Sequence, residues 1–391
     1  MAEQWEYVVV GLGALGSATA YQLARRGERV LGLERFRLGH TQGASHDSSR
    51  ILRHSYHTPG YVAMTFAAYD DWADLEEDSG EELVTPTGGL DLFPPDGAIP
   101  MADYTSSMAG CGVPFDELTR QDVHERWPQL SLPEGTVAVH QERSAIVPAA
   151  RGVRVLQSRA REHGALLRDR SPVESVEDRG TQGIEVVAGG RAYRCRRLVV
   201  CADAWTNEVL AGLGLQLPLT TTLEQVTYFQ PTNPEPFAVG CLPLWIWMDD
   251  PCFYGFPCYG DATVKAAQDC GGPVIDPAAR ARGLGTEPDA EMQERLSAHM
   301  AATLPGSGPA QRSVRCLYTL TPDRDFVLGP VPGHESVTVG LGAAHGFKFA
   351  PTFGRVLADV AMRGNSNVDL TPFRLDRPGL TQPGYVPSWL V

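Results

Sequence analysis

The sequence predicts an α/β fold with a β-rich part, in which a Rossmann-like dinucleotide-binding domain carries an inserted domain built on an antiparallel sheet. A strand, a glycine turn and a helix open the chain at "EYVVVGLGALGSATAYQLARRG". Another strand, glycine turn and helix follow near its end, at "VTVGLGAAHGFKFAPTFGRVLADVAMRG". Between them lie two segments rich in proline and aromatic residues, with short alternating stretches such as "CFYGFP" that are typical of antiparallel strands.

The three glycines of the first turn have separate roles in this prediction. Gly11 makes the tight turn, Gly13 lets a pyrophosphate approach backbone N–H groups, and Gly16 lets the helix pack closely on the strand. The next apolar strand, "ERVLGLERF", contains Glu34 at the spacing where an acid binds ribose hydroxyls. Because a carboxylate there repels a 2′-phosphate, the motif predicts FAD or NAD rather than NADP.

The rest of the pattern divides the chain into two domains. "GVRVLQSRAREHGALLRD" has helical apolar spacing, and "RRLVVCADAWTNEVLAGLG" indicates a buried strand followed by a helix. We therefore assign residues 1–83, 140–220 and 310–391 to the dinucleotide-binding domain, and residues 84–139 and 221–309 to the inserted substrate domain.

Composition excludes several classes of protein. The 391 residues, 43% of them hydrophobic, suffice for two ordinary domains. The eight cysteines form no C-x-x-C pair and the ten histidines show no metal-ligand spacing, which favours a reduced, cytoplasmic protein without a metal site. The first residues do not resemble a signal peptide, and no apolar run is long enough for a membrane helix. A net charge of −14 disfavours nucleic acid and acidic membranes as partners.

One cysteine stands out in "RSVRCLYTLTPDRDFVLG", where Cys316 follows Arg315 and has no partner cysteine nearby. A lone cysteine is most often a small buried residue. A neighbouring arginine nevertheless favours the thiolate, which is the reactive form. A thiolate held against the dimethylbenzene edge of a flavin can bond to its 8α-methyl carbon. Both interpretations are open from these residues alone.

Several segments together resemble a known family. They are "GLGALGSATAYQLARRG", "GASHDSSRILRHSY", "YGFP", "VK" at 264–265, "RCLYTLTPDRDFVLG" and "GAAHGFKFAP". They resemble the monomeric sarcosine oxidase group of FAD amine oxidases, which includes N-methyltryptophan and pipecolate oxidases, nearly from end to end. The resemblance implies a glutathione-reductase-type FAD domain, FAD attached through Cys316 (8α-S-cysteinyl), and a cytoplasmic monomer. The implied reaction oxidises the C–N bond of a secondary or cyclic amino acid to an imine with dioxygen, releasing hydrogen peroxide.

The resemblance also implies roles for four cationic residues. Arg50 would lie over the flavin ring, while Arg53 and Lys348 would bind the substrate carboxylate. Charge-assisted hydrogen bonds of this kind contribute about 1.5–3 kcal/mol each. Lys265 would lie beside the reactive flavin nitrogen and activate dioxygen, its charge stabilising superoxide. Taken alone, such residues are more often found on the surface or in ion pairs.

Other positions match the family's pocket and cofactor contacts. Tyr254, Tyr318 and His345 resemble pocket residues, although each could instead be a hydrogen-bonded core residue. Asp203 stands where the family usually has glycine. The resemblance implies further cofactor contacts at Ala14, Arg35, Ser45, Val173, Trp205, Gly342, Gly346, Phe347 and Lys348.

Departures from the family pattern bear on the substrate. Asp269 replaces a histidine, and its carboxylate would attract an ammonium group. Residues 57–61 lack the expected acid. Trp245 replaces a flexible apolar residue, and Trp247 would share its strand face, so the two could form an aromatic cage or ordinary core. These changes favour a larger or cyclic amino acid over sarcosine.

Three alternatives remain open from the sequence. An NAD-dependent dehydrogenase would use the same glycine turn but leaves Cys316 and "HGFK" without a role. A flavin enzyme of natural-product biosynthesis could desaturate a ring amine without hydrolysis of the product. A non-catalytic flavin-binding protein would release no peroxide. No general base is identifiable, and none is required if the amine binds in its neutral form.

Overall fold

The computed structural model describes residues 2–386, which form two large β-sheets, a small third sheet and surrounding helices. The strands are β1 (Glu3–Val10), β2 (Val30–Leu33), β3 (Ser49–Leu52), β4 (Thr85–Pro86), β5 (Gly89–Phe93), β6 (Asp116–Thr119), β7 (Val137–Gln141), β8 (Ala145–Pro148), β9 (Leu166–Arg168), β10 (Val173–Asp178), β11 (Ile184–Ala188), β12 (Arg191–Val200), β13 (Thr220–Phe229), β14 (Leu244–Trp247), β15 (Phe253–Phe256), β16 (Val264–Gln268), β17 (Ala310–Leu320), β18 (Val327–Val331) and β19 (His334–Leu341). The α-helices are α1 (Ala14–Arg25), α2 (Pro59–Ser79), α3 (Met101–Gly110), α4 (Arg120–Arg126), α5 (Ala149–Glu162), α6 (Thr206–Leu210), α7 (Pro277–Ala281), α8 (Ala290–Thr303), α9 (Ala350–Arg363) and α10 (Pro378–Thr381).

The first sheet is the predicted dinucleotide-binding sheet. Strands β9, β2, β1, β12 and β19 run parallel in that order, with β10, β11 and β18 added antiparallel. β1 and β2 end in fully buried apolar runs, as expected for a sheet covered on both faces. Helices α5 and α9 pack on α1 beside the first glycine turn. The predicted α/β class is confirmed.

The second sheet has the order β17-β13-β16-β15-β14-β5-β7-β6 and is antiparallel except for the β14–β5 pair. It agrees with the antiparallel sheet expected from the proline- and aromatic-rich segments. β17 pairs with β13 along its length, so Ala310–Leu320 belong to this sheet. The sequence assigned these residues to the cofactor domain, because a strand's pattern does not reveal which sheet it joins. The two-domain division itself stays a prediction.

The glycines of the first turn are required by close contacts. Gly11 has φ +87°, and a Cβ on it would lie 2.4 Å from the carbonyl oxygen of Cys201. A Cβ on Gly16 would lie 1.8 Å from the oxygen of Gly11. Asp203 belongs to a second turn, the one that follows β12, at a position where the family usually has glycine. Its φ of +47° lies in the left-handed region that favours glycine, so this turn keeps a glycine-like backbone despite the substitution.

Three further properties bear on function. No helix within residues 2–386 reaches the length and apolar character needed to cross a bilayer. The eight cysteines form no disulfide in that range. Nor do its His, Cys, Asp and Glu side chains form any group of three or more suited to a metal ion. The thiol of Cys316 is thus available for other chemistry.

Candidate active site

Three connected cavities run from the glycine turn to the second sheet. The first, of about 450 Å³, contacts Gly11, Gly13 and Glu34. A narrow cavity of about 80 Å³ shares Gly13 and Ser45 with the first. The narrow cavity in turn shares Arg50, Tyr318, Ala344 and Phe347 with a third cavity of about 290 Å³. We call these three neighbouring cavities together the channel.

Glu34 lies at the nucleotide end of the channel. Its carboxylate accepts hydrogen bonds from the backbone N–H groups of Leu12, at 2.8 Å, and Phe36, at 2.9 Å. Burial would raise the pKa of Glu34, but His40 and these N–H groups outweigh that effect and hold the pKa below its usual value. The side chain is therefore an ionised acceptor, as ribose hydroxyls require.

The other predicted nucleotide contacts form the wall of the first cavity. Val173 and Trp205 line it, and the Trp205 ring packs edge-on against Phe36 at 5.3 Å. Arg35 forms an ion pair with Glu208 and lies over the Trp205 ring. Because its charge is already paired with Glu208, Arg35 helps to form the wall of the cavity by packing and offers little free positive charge to a ligand.

The narrow cavity brings together small residues from distant segments. Gly342 and Gly346 line one side. The Ser45 hydroxyl accepts a hydrogen bond from the N–H of Ala14 at 3.0 Å, which fixes the start of α1. Asp203 also lines this passage, and burial raises the pKa of its carboxyl to about 6. A carboxyl group with this pKa is readily protonated, and in that neutral form it would not repel an anionic cofactor bound in the passage.

Arg50 lies at the junction of the second and third cavities. Its guanidinium donates hydrogen bonds to three backbone oxygens, those of Ser49, Ala44 and His46, at 2.8–3.0 Å. It also lies 5.7 Å from the centre of the Phe347 ring. No carboxylate within the described residues forms an ion pair with it at 4.0 Å or less. A partly buried cation held by carbonyls alone is suited to face an electron-rich ligand.

Cys316 is buried on β17, on the same strand face as Tyr318, which lines the channel. Burial raises the pKa of the Cys316 thiol, and the charges of Arg50 and Lys265 oppose that rise. Arg315 lies on the opposite face of the strand and donates to the carbonyls of Leu223 and Glu224. Its charge still interacts with an ionised Cys316, so the effect of Arg315 on the thiolate stays a prediction.

Lys265 lies beneath the same junction, on β16. Its ammonium donates to the Ser49 carbonyl at 3.0 Å and approaches a carboxylate oxygen of Asp47 at 2.7 Å. The side chain is only 4% exposed. Burial lowers the pKa of Lys265 to about 8 although Asp47 opposes the shift. The predicted oxygen-activating lysine is thus adjacent to Arg50 and electrostatically coupled to Cys316.

The third cavity contains the predicted carboxylate-binding pair. Lys348 donates to the carbonyl of His345 at 3.0 Å and, in the part of the chain described, forms no ion pair. Burial, together with the like charge of Arg53, lowers the pKa of Lys348 to about 7. Arg53 itself pairs with the buried Asp91 at 3.1 Å. A ligand carboxylate would therefore relieve the repulsion between two neighbouring cations.

The predicted pocket residues Tyr254, Tyr318 and His345 all line the third cavity. Burial and the nearby Cys316 raise the pKa of Tyr254 far above 10, although a hydrogen bond with Tyr318 opposes the rise, so its hydroxyl is a neutral donor or acceptor. Burial and the positive charge of Lys348 keep the pKa of His345 well below 6.5. Nε2 of His345 lies 3.1 Å from the carbonyl oxygen of Arg324 and must carry the proton. His345 is therefore neutral.

Two residues predicted to contact the substrate are placed differently. Asp269 lines the third cavity, but Arg324 pairs with it at 3.0 Å, so its charge is not free to attract an ammonium group. Trp245 is 1% exposed in the core between the second sheet and α8, packed against Gly255 and His299. The aromatic-cage prediction is thus wrong. Alternation along β14 directs its neighbours Ile246 and Met248 to the cavity instead.

Sequence reasoning missed three charged residues of the site. Asp91 interrupts the apolar stretch "GLDLF", and a charged residue inside a buried strand is itself a signal of a partner. Arg324 pairs with Asp269, and Asp47 pairs with Lys265. The pairs Arg324–Asp269 and Asp47–Lys265 join distant segments, so nothing in the local sequence predicts that these residues meet.

The channel fits FAD. Its nucleotide end has the glycine turn and the ionised Glu34, and its middle contains small residues and the N-terminus of α1, where a pyrophosphate is favoured. Its far end has Arg50 and the strand face that bears Cys316, where a flavin ring would lie. NAD would leave that strand face without a role.

The buried pair of Arg53 and Asp91 predicts a large loss of stability on substitution. Asp91→Ala should reduce the free energy of unfolding by about 3–5 kcal/mol, because it leaves the Arg53 guanidinium buried without a counter-charge. Asp116→Ala breaks an exposed pair with Arg126 and should cost no more than about 1 kcal/mol. Urea unfolding of both variants measures the difference. Equal losses would contradict the energetic role given to the pair.

The fold and the channel define a flavin-dependent oxidoreductase. Residues 6–360 match the family model described as "DAO: FAD dependent oxidoreductase", and the chain belongs to that family.

Individual relatives show which members of the family the chain is similar to. The chain is 33% identical to the monomeric sarcosine oxidase of Streptomyces avermitilis over 94% of this chain and 96% of that protein. It is 31% identical to human peroxisomal sarcosine oxidase over 95% and 96%, and 29% identical to N-methyl-L-tryptophan oxidase of Yersinia pestis over 95% and 99%. The open form of NikD, an unusual amino acid oxidase essential for nikkomycin biosynthesis, superposes with a TM-score of 0.84 at 26% identity, covering 95% of this chain and 98% of NikD. The predicted resemblance is confirmed.

Proposed function

We propose that the protein is an FAD-dependent amine oxidase that oxidises the C–N bond of a secondary or cyclic amino acid to an imine, with dioxygen as acceptor and hydrogen peroxide as second product. The proposal is consistent with the family and with sarcosine and N-methyltryptophan oxidases among its relatives. The covalent link through Cys316 and the identity of the substrate are further parts of the proposal.

One observation carries the proposal. Lys265 and Lys348 are the only two lysines in the 391-residue sequence, all other basic side chains being arginine or histidine. Both are buried, at 3% and 8% exposure. Lys348 lines the third cavity, and Lys265 bonds the backbone of Ser49 next to Arg50. Burying an ammonium group is unfavourable, and arginine is the more usual residue for a structural ion pair. Two lysines retained at this place alone indicate a chemical role.

The residues of the third cavity would bind and orient the substrate. Its carboxylate would accept charge-assisted hydrogen bonds from Lys348 and Arg53, and the Tyr254 and Tyr318 hydroxyls would lie alongside. The bound isoalloxazine ring supplies the chemistry by accepting a hydride equivalent from the carbon next to the amine and reducing dioxygen to hydrogen peroxide. Arg50 would hold the ring in place, and Lys265 would place positive charge where dioxygen is reduced.

The amine must be neutral for this step, and no side chain of the cavity is suited to deprotonate it. His345 is neutral, and its Nδ1 has no hydrogen-bond partner within residues 2–386, but its pKa well below 6.5 makes it a weak base. Asp269 is paired with Arg324. The electrostatic effect of Lys348 and Arg53 favours the neutral over the protonated amine, because an ammonium group would meet two cations. The cavity thus selects the reactive form by charge.

A second candidate function has specific support. NikD matches this chain at 26% identity and is described as an unusual amino acid oxidase of a biosynthetic pathway. Asp269, which pairs with Arg324, stands where the resemblance implies a histidine in sarcosine-type pockets. This chain could accordingly act on a cyclic amine or imine intermediate of natural-product biosynthesis, keeping the oxidised ring as product.

A substrate panel tests both candidates. Flavin bleaching under anaerobic conditions, followed by peroxide release on admitting air, should occur with N-methyl or cyclic amino acids. The matched decarboxylated amines should react at least tenfold more slowly, since they lack the group that Lys348 and Arg53 bind. Mass analysis of the product distinguishes a hydrolysed imine from a retained ring. A flavin that no member of either class bleaches would contradict the proposal.

Lys348→Met is expected to lower kcat/KM for a carboxylate substrate by about 10- to 150-fold, the equivalent of one charge-assisted hydrogen bond of about 1.5–3 kcal/mol. In the wild type, kcat/KM should fall as pH rises through the Lys348 pKa of about 7, because the ammonium is lost. This falling limb should be absent from the variant. Steady-state kinetics between pH 6 and 9 measures both effects, and unchanged kcat/KM would contradict the assignment.

We also infer a cytoplasmic monomer with FAD attached through Cys316. Support for the monomer comes from bacterial relatives named monomeric sarcosine oxidase, and support for a reducing compartment from eight cysteines without a disulfide in the described chain. Light scattering of the purified protein tests the oligomeric state: a mass near 42.3 kDa for the polypeptide is expected.

A further inference from the structure

The ion pair between Asp47 and Lys265 is not explained by binding of either cofactor or substrate. The two charged groups approach to 2.7 Å, and both side chains are nearly inaccessible, at 10% and 4% exposure. Tyr228 donates a hydrogen bond to the other carboxylate oxygen of Asp47. Ser48 in turn bonds the Tyr228 hydroxyl at 2.8 Å. A network of this kind fixes the position of the carboxylate.

The backbone at Asp47 has an unusual conformation, which places its carboxylate beside Lys265. Asp47 has φ +75°, in the left-handed region that costs a residue with a side chain about 1 kcal/mol or more. Its carbonyl accepts a hydrogen bond from the N–H of Ala150 at 3.0 Å, and that of Ser48 accepts from Ala149 at 3.1 Å. These bonds attach the segment to the first turn of α5. A strained, anchored backbone thus places the carboxylate beside the lysine.

The groups around Lys265 differ in their effect on its charge. Arg50, which lies in β3 and pairs with Val147 of β8, disfavours the ammonium, while Asp47 and the ionised form of Cys316 would favour it. The rings of Tyr228 and Phe256 lie 5.9 and 5.1 Å from the ammonium nitrogen. With Cys316 protonated, Asp47 is the one carboxylate among the described residues within ion-pair distance of Lys265.

We propose that Asp47 is a positioning residue for oxygen activation, which keeps Lys265 protonated and directed at the Ser49 backbone beneath the flavin site. Burial and Arg50 both act against the ammonium charge at this place, and the Asp47 carboxylate offsets them. The consequence for dioxygen rests on the proposed oxidase function. The effect on the protonation of Lys265 does not depend on it.

The two-lysine composition allows a direct test on flavin-loaded enzyme. Protein labelled with ¹³C at lysine Cε should give two lysine signals, assigned with Lys348→Met. Asp47→Asn should lower the titration midpoint of Lys265 by about 1–3 pH units, as loss of an adjacent opposite charge does. Asparagine also tolerates positive φ, so the backbone conformation is retained. The Lys348 signal serves as the internal control, and its midpoint should change far less.

Two further variants separate charge from geometry. Asp47→Gly removes the carboxylate and the backbone strain together, and should lower the Lys265 midpoint as Asp47→Asn does. Tyr228→Phe removes only the hydrogen bond to Asp47 and should give a smaller shift. If the Lys265 midpoint moves by less than about 0.3 units in both Asp47 variants, the proposal is overturned.

The functional consequence is measured on photoreduced enzyme mixed with oxygenated buffer. The reoxidation rate of Asp47→Asn should decline at a pH lower by the same shift, while anaerobic flavin reduction by substrate is changed less than about threefold. Slow reoxidation of the wild type at every pH would contradict the oxidase function and leave the lysine titration to decide the role of Asp47. A shifted titration with unshifted reoxidation would overturn the link to oxygen.

Discussion

Cys316→Ala is expected to yield protein from which acid precipitation releases all the flavin, whereas the wild-type pellet stays yellow. The channel places the face of β17 that bears Cys316 next to Arg50, where the flavin ring would lie. The thioether would replace the S–H bond of Cys316 and one C–H bond of the 8α-methyl group, and the two electrons and two protons released would pass through the flavin to dioxygen as hydrogen peroxide. Burial raises the pKa of the thiol, and Arg50 and Lys265 would stabilise the thiolate. The pellet spectrum and intact mass measure the linkage directly.

Cys252→Ala is the matched control. Cys252 lines the substrate end of the same channel, and burial raises the pKa of its thiol as well. Removal of this thiol should leave the covalent flavin in place. Retention of yellow colour by Cys316→Ala, or its loss from Cys252→Ala, would contradict attachment at Cys316. The rate of attachment in apoprotein mixed with FAD should increase with pH, because the thiolate population increases through the raised pKa.

Lys265→Met is expected to slow the oxidation of reduced flavin by dioxygen by about 10²- to 10³-fold, the effect of removing one preorganised electrostatic group from a reacting centre. Anaerobic reduction by substrate should change little, since Lys265 contacts Ser49 and Asp47 and does not line the substrate cavity. Stopped-flow measurement of each half-reaction separates the two steps. Turnover with an artificial electron acceptor should persist in the variant.

Lys348→Met provides the complementary control. It should impair the reductive step through weaker substrate binding and leave reoxidation by dioxygen close to the wild-type rate. The two buried lysines would then have separable roles, one for each half of the reaction. Equal impairment of both steps by either substitution would argue instead for a general structural defect, which thermal unfolding of the variants would show.

Much of the fold was predictable from local pattern. The first unit is contiguous in sequence, and its glycines, apolar strands and Glu34 identify the turn locally, although the close contact that requires Gly11 is with the distant Cys201. Strand alternation identified the antiparallel sheet, because the period of two is a local property. The same pattern could not show that β17 joins β13, since strand pairing depends on distant segments.

Several site residues were predicted from the family resemblance, and the structure shows which of them reach the channel. Arg50, Lys348 and the two tyrosines line the third cavity, and Lys265 bonds the carbonyl of Ser49 next to Arg50. Trp245 does not, because strand alternation turns it into the core. Whether a side chain reaches the cavity depends on strand register and sheet curvature, which the identity of the residue does not encode.

The sequence by itself determined which charged and nucleophilic groups are present, including the restriction of lysine to two positions. The tertiary structure decided which of those charges remain available for chemistry. Asp269 is neutralised by Arg324, a partner from a distant segment, while Lys348 has no ion-pair partner among residues 2–386. Arg53 pairs with Asp91 but still lines the third cavity. Coulomb interactions depend on distance in space, and the folded chain alone fixes those distances.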